Sequence, residues 1–406
     1  MDANPGTTIE DRHLIEEASA LLDDAVSLRR TLHAHPELGL DLPVTRDTVL
    51  ASLEGLDLEI WTGAAVSSVV AVLEGDRPGP TTLLRADMDA LPMSEDTGLP
   101  FASEVPDAMH SCGHDAHTAM LATAARLLSA RRDEVAGRIA FMFQPGEEGF
   151  GGAKAMLDEG LLTRIGGADR AFAIHVTPLI PSGMVAGRAG AFMASVDTME
   201  AVITGRGGHA SMPHDAIDPI PVASEIVLAL QTMVTRRIPV FDPVVITVGS
   251  IRAGTTSNVI PETAVMDITV RSVSPTSRKV ALEGLRRVVE HVASAHMCSA
   301  AIRTSQLGYP VTVNDAGAAE HALGVARRLL GPDRVVVMPT PVMAAEDWSF
   351  VLEKVPGSMV FLGAAPPGME NPAPNHSNRM VIDETAMVTG IALYAAEALS
   401  PSAGPA

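Results

Sequence analysis

Four short stretches of this 406-residue sequence hold side chains that could bind a cation or move a proton. Asp87 and Asp89 stand in Arg85-Ala-Asp-Met-Asp-Ala-Leu-Pro92, directly after a run, Thr81–Arg85, that reads as a strand. Glu147 and Glu148 stand in Gln144-Pro-Gly-Glu-Glu-Gly149, after a strand pattern that ends at Phe143. Cys112 and His114 lie in Met109-His-Ser-Cys-Gly-His-Asp-Ala-His117, just ahead of a helical pattern, and His175 closes the apolar run Ala171–Ile174. Taken singly, each group has an ordinary reading. The aspartates serve as turn acids, His117 as a helix-face residue, and the glutamates as caps for a helix starting near Gly152. Together they say more. In an open α/β sheet, ligands bind beyond the carboxyl ends of the strands. Cys, His and carboxylate at successive strand ends describe one cleft suited to a Zn-like cation.

The elements that must carry these residues follow from periodicity. Apolar positions at helical spacing predict an N-terminal helix over 14–32 and another over 114–130. Strand patterns cover 67–73, 81–85, 138–143 and 171–176. After about residue 315, helix and strand patterns alternate again: 316–330, 334–338, 348–353, 359–362 and 383–398. This alternation predicts an α/β sheet layer with helices on both faces. The middle reads differently. Strand 196–204, helix 217–235, strands 244–251 and 264–271, helix 277–295 and strand 300–304 follow the βαββαβ order of a ferredoxin-like domain. Its flanks belong to the first pattern, so it reads as an insertion, with turn-rich boundaries near Gly183–Gly190 and Leu307–Asn314. The expected division is residues 1–186 and 309–406 for an α/β domain, and 187–308 for the inserted one. The tail, Ser400–Ala406, is expected to fray.

Bulk composition narrows the partners. A hydrophobic fraction of 47% is enough for a sizeable core, and a formal charge of −20 repels phosphate backbones. No nucleic acid is expected. The polar, acidic start has no basic region followed by an apolar run, and no stretch is apolar enough to span a bilayer, so a cytoplasmic enzyme without membrane partners is expected. Cys112 and Cys298 are the only cysteines and lie far apart. A reducing compartment would leave Cys112 available as a thiolate, while Cys298 reads as a small buried side chain.

The motifs, in this order, resemble those of the M20 metallopeptidases, in the branch that hydrolyses N-acyl amino acids, hippurate and auxin conjugates. Besides the stretches above, they include Leu32-His-Ala-His-Pro-Glu-Leu38, Gly207-Gly-His-Ala-Ser-Met-Pro-His214, Thr256-Ser-Asn-Val-Ile-Pro261, Glu346-Asp347 and Asn375-His-Ser377. The resemblance implies a catalytic α/β domain with an inserted ferredoxin-like lid and dimerisation domain. It also implies two divalent ions per subunit (Zn, Mn, Co or Ni) held by Cys112, His114, Glu148, His175 and His376. Glu147 becomes the general base, and Asp89 the acid that supports the ligand shell. His209 and Asn258 would contact substrate, His209 across a homodimer or homotetramer. Ser111, Ala345 and Asn378 depart from the usual motif residues, and none is an implied ligand.

Adjacent glutamates can divide hydrolysis between them, one binding the metal and the other taking the water's proton. The activity so implied is cleavage of an N-acyl amino acid or similar peptide-like small molecule. A metal-dependent dipeptidase or exopeptidase of the same fold is the alternative. A thiol hydrolase built on Cys112 and His114 lacks an evident oxyanion loop, and a non-catalytic binding protein need not keep Glu147.

Overall fold

A computed structural model describes residues 9–400, so all of the tail expected to fray except Ser400 lies outside the described residues. Helices α1 (Ile9–Ala20), α2 (Leu22–Ala34) and α3 (Pro43–Ser52) precede strands β1 (Glu59–Thr62), β2 (Val69–Glu74) and β3 (Arg77–Asp87). Then come α4 (His114–Ser129), β4 (Ala136–Gln144), α5 (Gly152–Asp158), α6 (Leu161–Arg164), β5 (Arg170–Pro181), β6 (Val185–Gly187) and β7 (Gly190–Met193). The middle holds β8 (Ser195–Thr204), β9 (Gly208–His209), α7 (Pro219–Arg237), β10 (Val244–Ala253), β11 (Val259–Ile260), β12 (Thr263–Ser272), α8 (Pro275–Ala295) and β13 (Ser299–Thr304). The chain closes with β14 (Thr312–Asn314), α9 (Ala316–Leu330), β15 (Val335–Val337), α10 (Ser349–Leu352), β16 (Gly357–Ala365) and α11 (Ala386–Leu399).

The single helix expected over 14–32 is two. At Leu21 the backbone leaves the helix (φ −96°, ψ 0°), yet the apolar spacing runs straight through the break and gives no sign of it. The chain divides into two compact units. The first takes in the chain up to Phe192, Val313–Thr340 and the chain from Phe350 onward; the second is Met193–Thr312 with Pro341–Ser349.

The first unit is built on an eight-stranded mixed sheet in the order β1-β2-β4-β3-β5-β16-β6-β15. Its centre is parallel: β4 with β3, β3 with β5, and β5 with β16. Parallel strands bring their carboxyl ends to one side, which is where a binding cleft forms. Helices α4 and α11 are buried on nearly every face, as their Ala-, Leu- and Met-rich sequences require. The Tyr394 hydroxyl of α11 donates to the Arg85 carbonyl at 2.7 Å, tying this last helix to the strand that leads into Asp87 and Asp89.

In the second unit an antiparallel sheet runs β10-β12-β8-β13. Burial alternates along β8 and β12, so one face of each packs inward. Ile203, Met266 and Ile268 meet Ile226 and Leu230 of α7 and Leu285 and Val289 of α8 in that core. Asp218 and Ser274 cap the two helices by accepting from Ile220 N and Ser277 N. Strand β10 is an edge strand, with Val245 and Ile251 exposed. Among the described residues, no helix is long and apolar enough to cross a membrane.

Candidate metal centre

Three turns at the carboxyl end of the parallel strands meet on Asp89. Its backbone carbonyl accepts the Nδ1–H of His114 at 2.8 Å. Its carboxylate accepts the amide of Glu147 at 2.9 Å on one oxygen and that of Glu148 at 3.0 Å on the other. One buried aspartate thus fixes the first histidine of α4 and both glutamates of the turn after β4. Between Cys112 and His114, Gly113 has φ +91°, and a Cβ there would fall 2.3 Å from Val176 Cγ2. Glycine lets the thiol and the imidazole approach the same point.

His175 is placed from β5. Its Nδ1–H donates to the Val176 carbonyl at 2.8 Å, and its Nε2 lies 3.5 Å from Cys112 Sγ. His376 sits in a loop with φ +68°, unusual for a residue with a side chain, held by its amide on the Ser111 carbonyl at 2.8 Å. Asn375, just before it, donates from Nδ2 to the carbonyls of Cys112 and Val176 at 3.0 and 3.2 Å.

These turns gather the chemistry. Ligand atoms of Cys112, His114 and His175 lie within 4.8 Å of one another, as do those of Cys112, Glu148 and His376, and those of His114, Glu147 and Glu148. The donor set suits a divalent cation. His114 and His175 each use Nδ1–H on a carbonyl, which leaves the Nε2 lone pair for a metal. His114 Nε2 and Glu148 Oε1 are buried without a hydrogen-bond partner, although His376 Nε2 is 3.2 Å from Glu148 Oε1. Buried polar atoms are rarely left so.

The electrostatics are those of a cluster needing positive charge. Cys112 and Glu148 together push the His376 ring up to about 10. Against the burial that would lower it, Asp87 and Cys112 hold the His114 ring well above the usual histidine value. Burial, helped by neighbouring His117, pushes His175 down to about 3, so this ring is neutral and its lone pair open. Burial raises the Cys112 thiol. A cation there would displace protons from the thiol and the rings.

Residues 83–399 match peptidase family M20/M25/M40. The chain belongs to the M20 family. This M20 chain is 37% identical over 376 residues, 92% of its length and 94% of the relative's, to thermostable carboxypeptidase 1 of Saccharolobus solfataricus. It is 38% identical over 339 residues to the N-acetylcysteine deacetylase of Bacillus subtilis, covering 83% of this chain and 87% of that one. Among solved structures it is similar to the Bacillus subtilis YXEP protein, a dinuclear metal binding peptidase of the M20 family. That match has a TM-score of 0.79 at 34% identity, over 94% of this chain and 98% of the other. The M20 chain is accordingly a metal-dependent amidohydrolase that uses divalent metal.

The other implied residues lie in the second unit of this M20 protein. His209 pairs with Val259 across β9 and β11, and the Asn258 carbonyl accepts the Ala210 amide at 3.1 Å, so His209 and Asn258 are exposed neighbours at one end of that ladder. The Ser211 amide donates to His209 Nδ1 at 3.1 Å.

Reading the sequence alone missed Arg85, His117 and Asn375. His117 lies on α4, fully buried, between Asp87 and the Val176 amide. The available signal was a run of polar residues, His114, Asp115, His117 and Thr118, opening a helix whose next residues are almost all apolar.

Proposed function

We propose that this chain hydrolyses the amide bond of N-acyl amino acids, with Cys112, His114, Glu148, His175 and His376 holding two divalent ions (Zn, Mn, Co or Ni) and Glu147 acting as base. The observation that carries this reading is the grip of Asp89 on the Glu147 and Glu148 amides, which sets two carboxylates side by side at the cluster, with Glu148 the one grouped with Cys112 and His376. When bound, the metal would lower the pKa of a water and polarise the scissile carbonyl. Glu147 takes the water's proton and returns it to the departing amine, so that a carboxylate and a free amino acid leave. Asp89 acts at one remove, by holding Glu147, Glu148 and His114.

His209 supplies a donor to the oxyanion. With Nδ1 accepting from the Ser211 amide, the neutral ring carries its proton on Nε2, ready to donate. Asn258 beside it contacts the substrate. We assign residues 187–308 to an inserted ferredoxin-like lid and dimerisation domain, with 1–186 and 309–406 as the catalytic domain. The βαββαβ order supports this, and the open β10 edge with exposed Val245 and Ile251 supports pairing into a homodimer, or a homotetramer built from such pairs. A thiol ligand at Cys112 fits a cytoplasmic setting.

The test is a hydrolysis screen of the metal-reconstituted protein against N-acyl amino acids and dipeptides. Faster cleavage of N-acyl amino acids supports the proposal. A preference for dipeptides would move the assignment to the exopeptidase alternative, which the 37% identity to a carboxypeptidase keeps in view.

A further inference from the structure

Behind the metal centre, Asp87, His114 and His117 are all buried, and their ligand atoms also lie within 4.8 Å of one another. The grouping looks like one more cation site, but its hydrogen bonds rule that out. A backbone amide can only donate, and the Val176 amide meets His117 Nε2 at 2.8 Å, so Nε2 accepts. Nδ1 then carries the proton and donates to Asp87 Oδ1 at 2.6 Å. Neither ring nitrogen keeps a lone pair for a metal. The other Asp87 oxygen accepts from Arg85 Nη1 at 2.8 Å, and Arg85 Nε donates to Gln144 Oε1 at 2.9 Å.

The far end of this chain of bonds is the peptide that governs His175. Pairing between β3 and β5 stops at Arg85 and Ala173, so by Val176 that edge of β5 has no strand to accept its amide. His117 takes the place of the missing strand. The carbonyl of the same residue, Val176, accepts the His175 Nδ1–H and Asn375 Nδ2. Where the Val176 backbone sits therefore decides where His175 Nε2 points.

We propose that His117, held in one tautomer by Asp87 and Arg85, is a positioning relay that fixes the Val176 backbone and, through it, the aim of His175 into the metal centre. The inference rests on the metal-centre reading above. It predicts that the Val176 leg of His117 matters for metal affinity, and that His117 binds no ion itself. The experiment separates the two legs by side-chain length. In His117→Gln the amide reaches the Nε2 position and can still accept from Val176. In His117→Asn it ends at the Nδ1 position and can serve only Asp87.

Metal-free wild type and both variants are titrated with Co2+, reading the visible bands, the affinity and the ions bound per chain, with thermal unfolding as a check on folding. The expected result is equal stoichiometry at saturation in all three. His117→Gln should keep the wild-type spectrum and affinity, and His117→Asn should bind about 10–100-fold more weakly, the usual cost of losing an outer partner of a ligand. If His117→Asn does not fold, His117→Gln decides alone: a changed spectrum or an affinity loss of that size overturns the relay. Wild-type affinity in a folded His117→Asn also overturns it, as does one ion fewer in either variant, which would make His117 a ligand. If the wild type itself takes up no Co2+, the metal-centre reading falls first.

Discussion

His114 and His209 are both histidines on the proposed reaction path, yet they are set in opposite tautomers. His114 is fully buried and donates its Nδ1–H to the Asp89 carbonyl, so a metal that displaces the ring's second proton finds the lone pair on Nε2. His209 is exposed and accepts at Nδ1 from the Ser211 amide, leaving a proton on Nε2. One is prepared to bind a metal, the other to donate a hydrogen bond. The settings come from the backbone in each case, since a carbonyl can only accept and an amide can only donate. They differ in how firmly they are held. The first unit locks its rings with buried bonds from several strands, while the second holds His209 on a two-residue ladder open to solvent.

The largest effects should come from the locked side. Glu147→Gln keeps the shape but cannot take a proton, so turnover should fall by about 10²–10⁴-fold with metal content unchanged. His175→Ala should instead lose metal, and activity with it. Elemental analysis beside steady-state kinetics tells the two apart. Loss of metal in Glu147→Gln would mean that the roles of the two glutamates are exchanged.

On the exposed side, His209→Ala should lower turnover by about 10²–10³-fold, the effect of removing one oxyanion donor, at full metal stoichiometry. Mixed oligomers of Glu147→Gln and His209→Ala chains should regain part of the activity if the ring acts on a partner's centre. Recovery absent from verified mixtures would place its action within its own chain. A proton on Nδ1 in the ring-nitrogen NMR spectrum of the wild type would break the contrast drawn above.

The smallest effect on catalysis should come from a buried acid that has no part in the reaction. Burial pushes Glu397 from 4.5 up to about 8, against the pull of Arg170 and Arg328. A carboxyl raised in this way keeps its proton in the folded chain while the unfolded chain has lost it. Its favourable share of stability is complete below 4.5 and disappears as the pH rises to about 8. Glu397→Gln should therefore leave kcat and metal content alone. Its unfolding free energy should exceed wild type by a margin that grows across that window, each tenfold difference in proton affinity being worth about 1.4 kcal/mol. Denaturant unfolding at pH 5 and pH 8 measures it, and an equal margin at both values would refute the cause given.

The carboxyl ends of β3 and β4 were legible to within two residues because the apolar runs stop there, whereas β5 runs on to Pro181, well past the run read at 171–176. The start of α4 at His114 was legible for the same reason. His376 was not, except by resemblance, because its loop has no periodicity and its left-handed backbone leaves no mark on a residue that is not glycine. The role of His117 was not legible because its partner is a backbone amide 59 positions away, and every residue but proline has one. Helix α3 went unread; only Thr45 and Val49 are buried along it, too few to set a pattern.

Strand β16 lies in the sheet between β5 and β6, although 175 residues separate it from β5 in the chain. During synthesis the four strands of the β10-β12-β8-β13 sheet and helices α7 and α8 are all available once Thr304 has emerged, and their pairings are comparatively local. The first unit has to wait for Gly357–Ala365 before its parallel centre can close, and for α11 before Tyr394 can secure β3. Contacts between such distant stretches form slowly, since long loops must close first. The piece inserted in the sequence can thus be the first to fold, while the half-made sheet that will carry the metal centre leaves β5 with an unpaired edge, the kind of surface on which nascent chains aggregate.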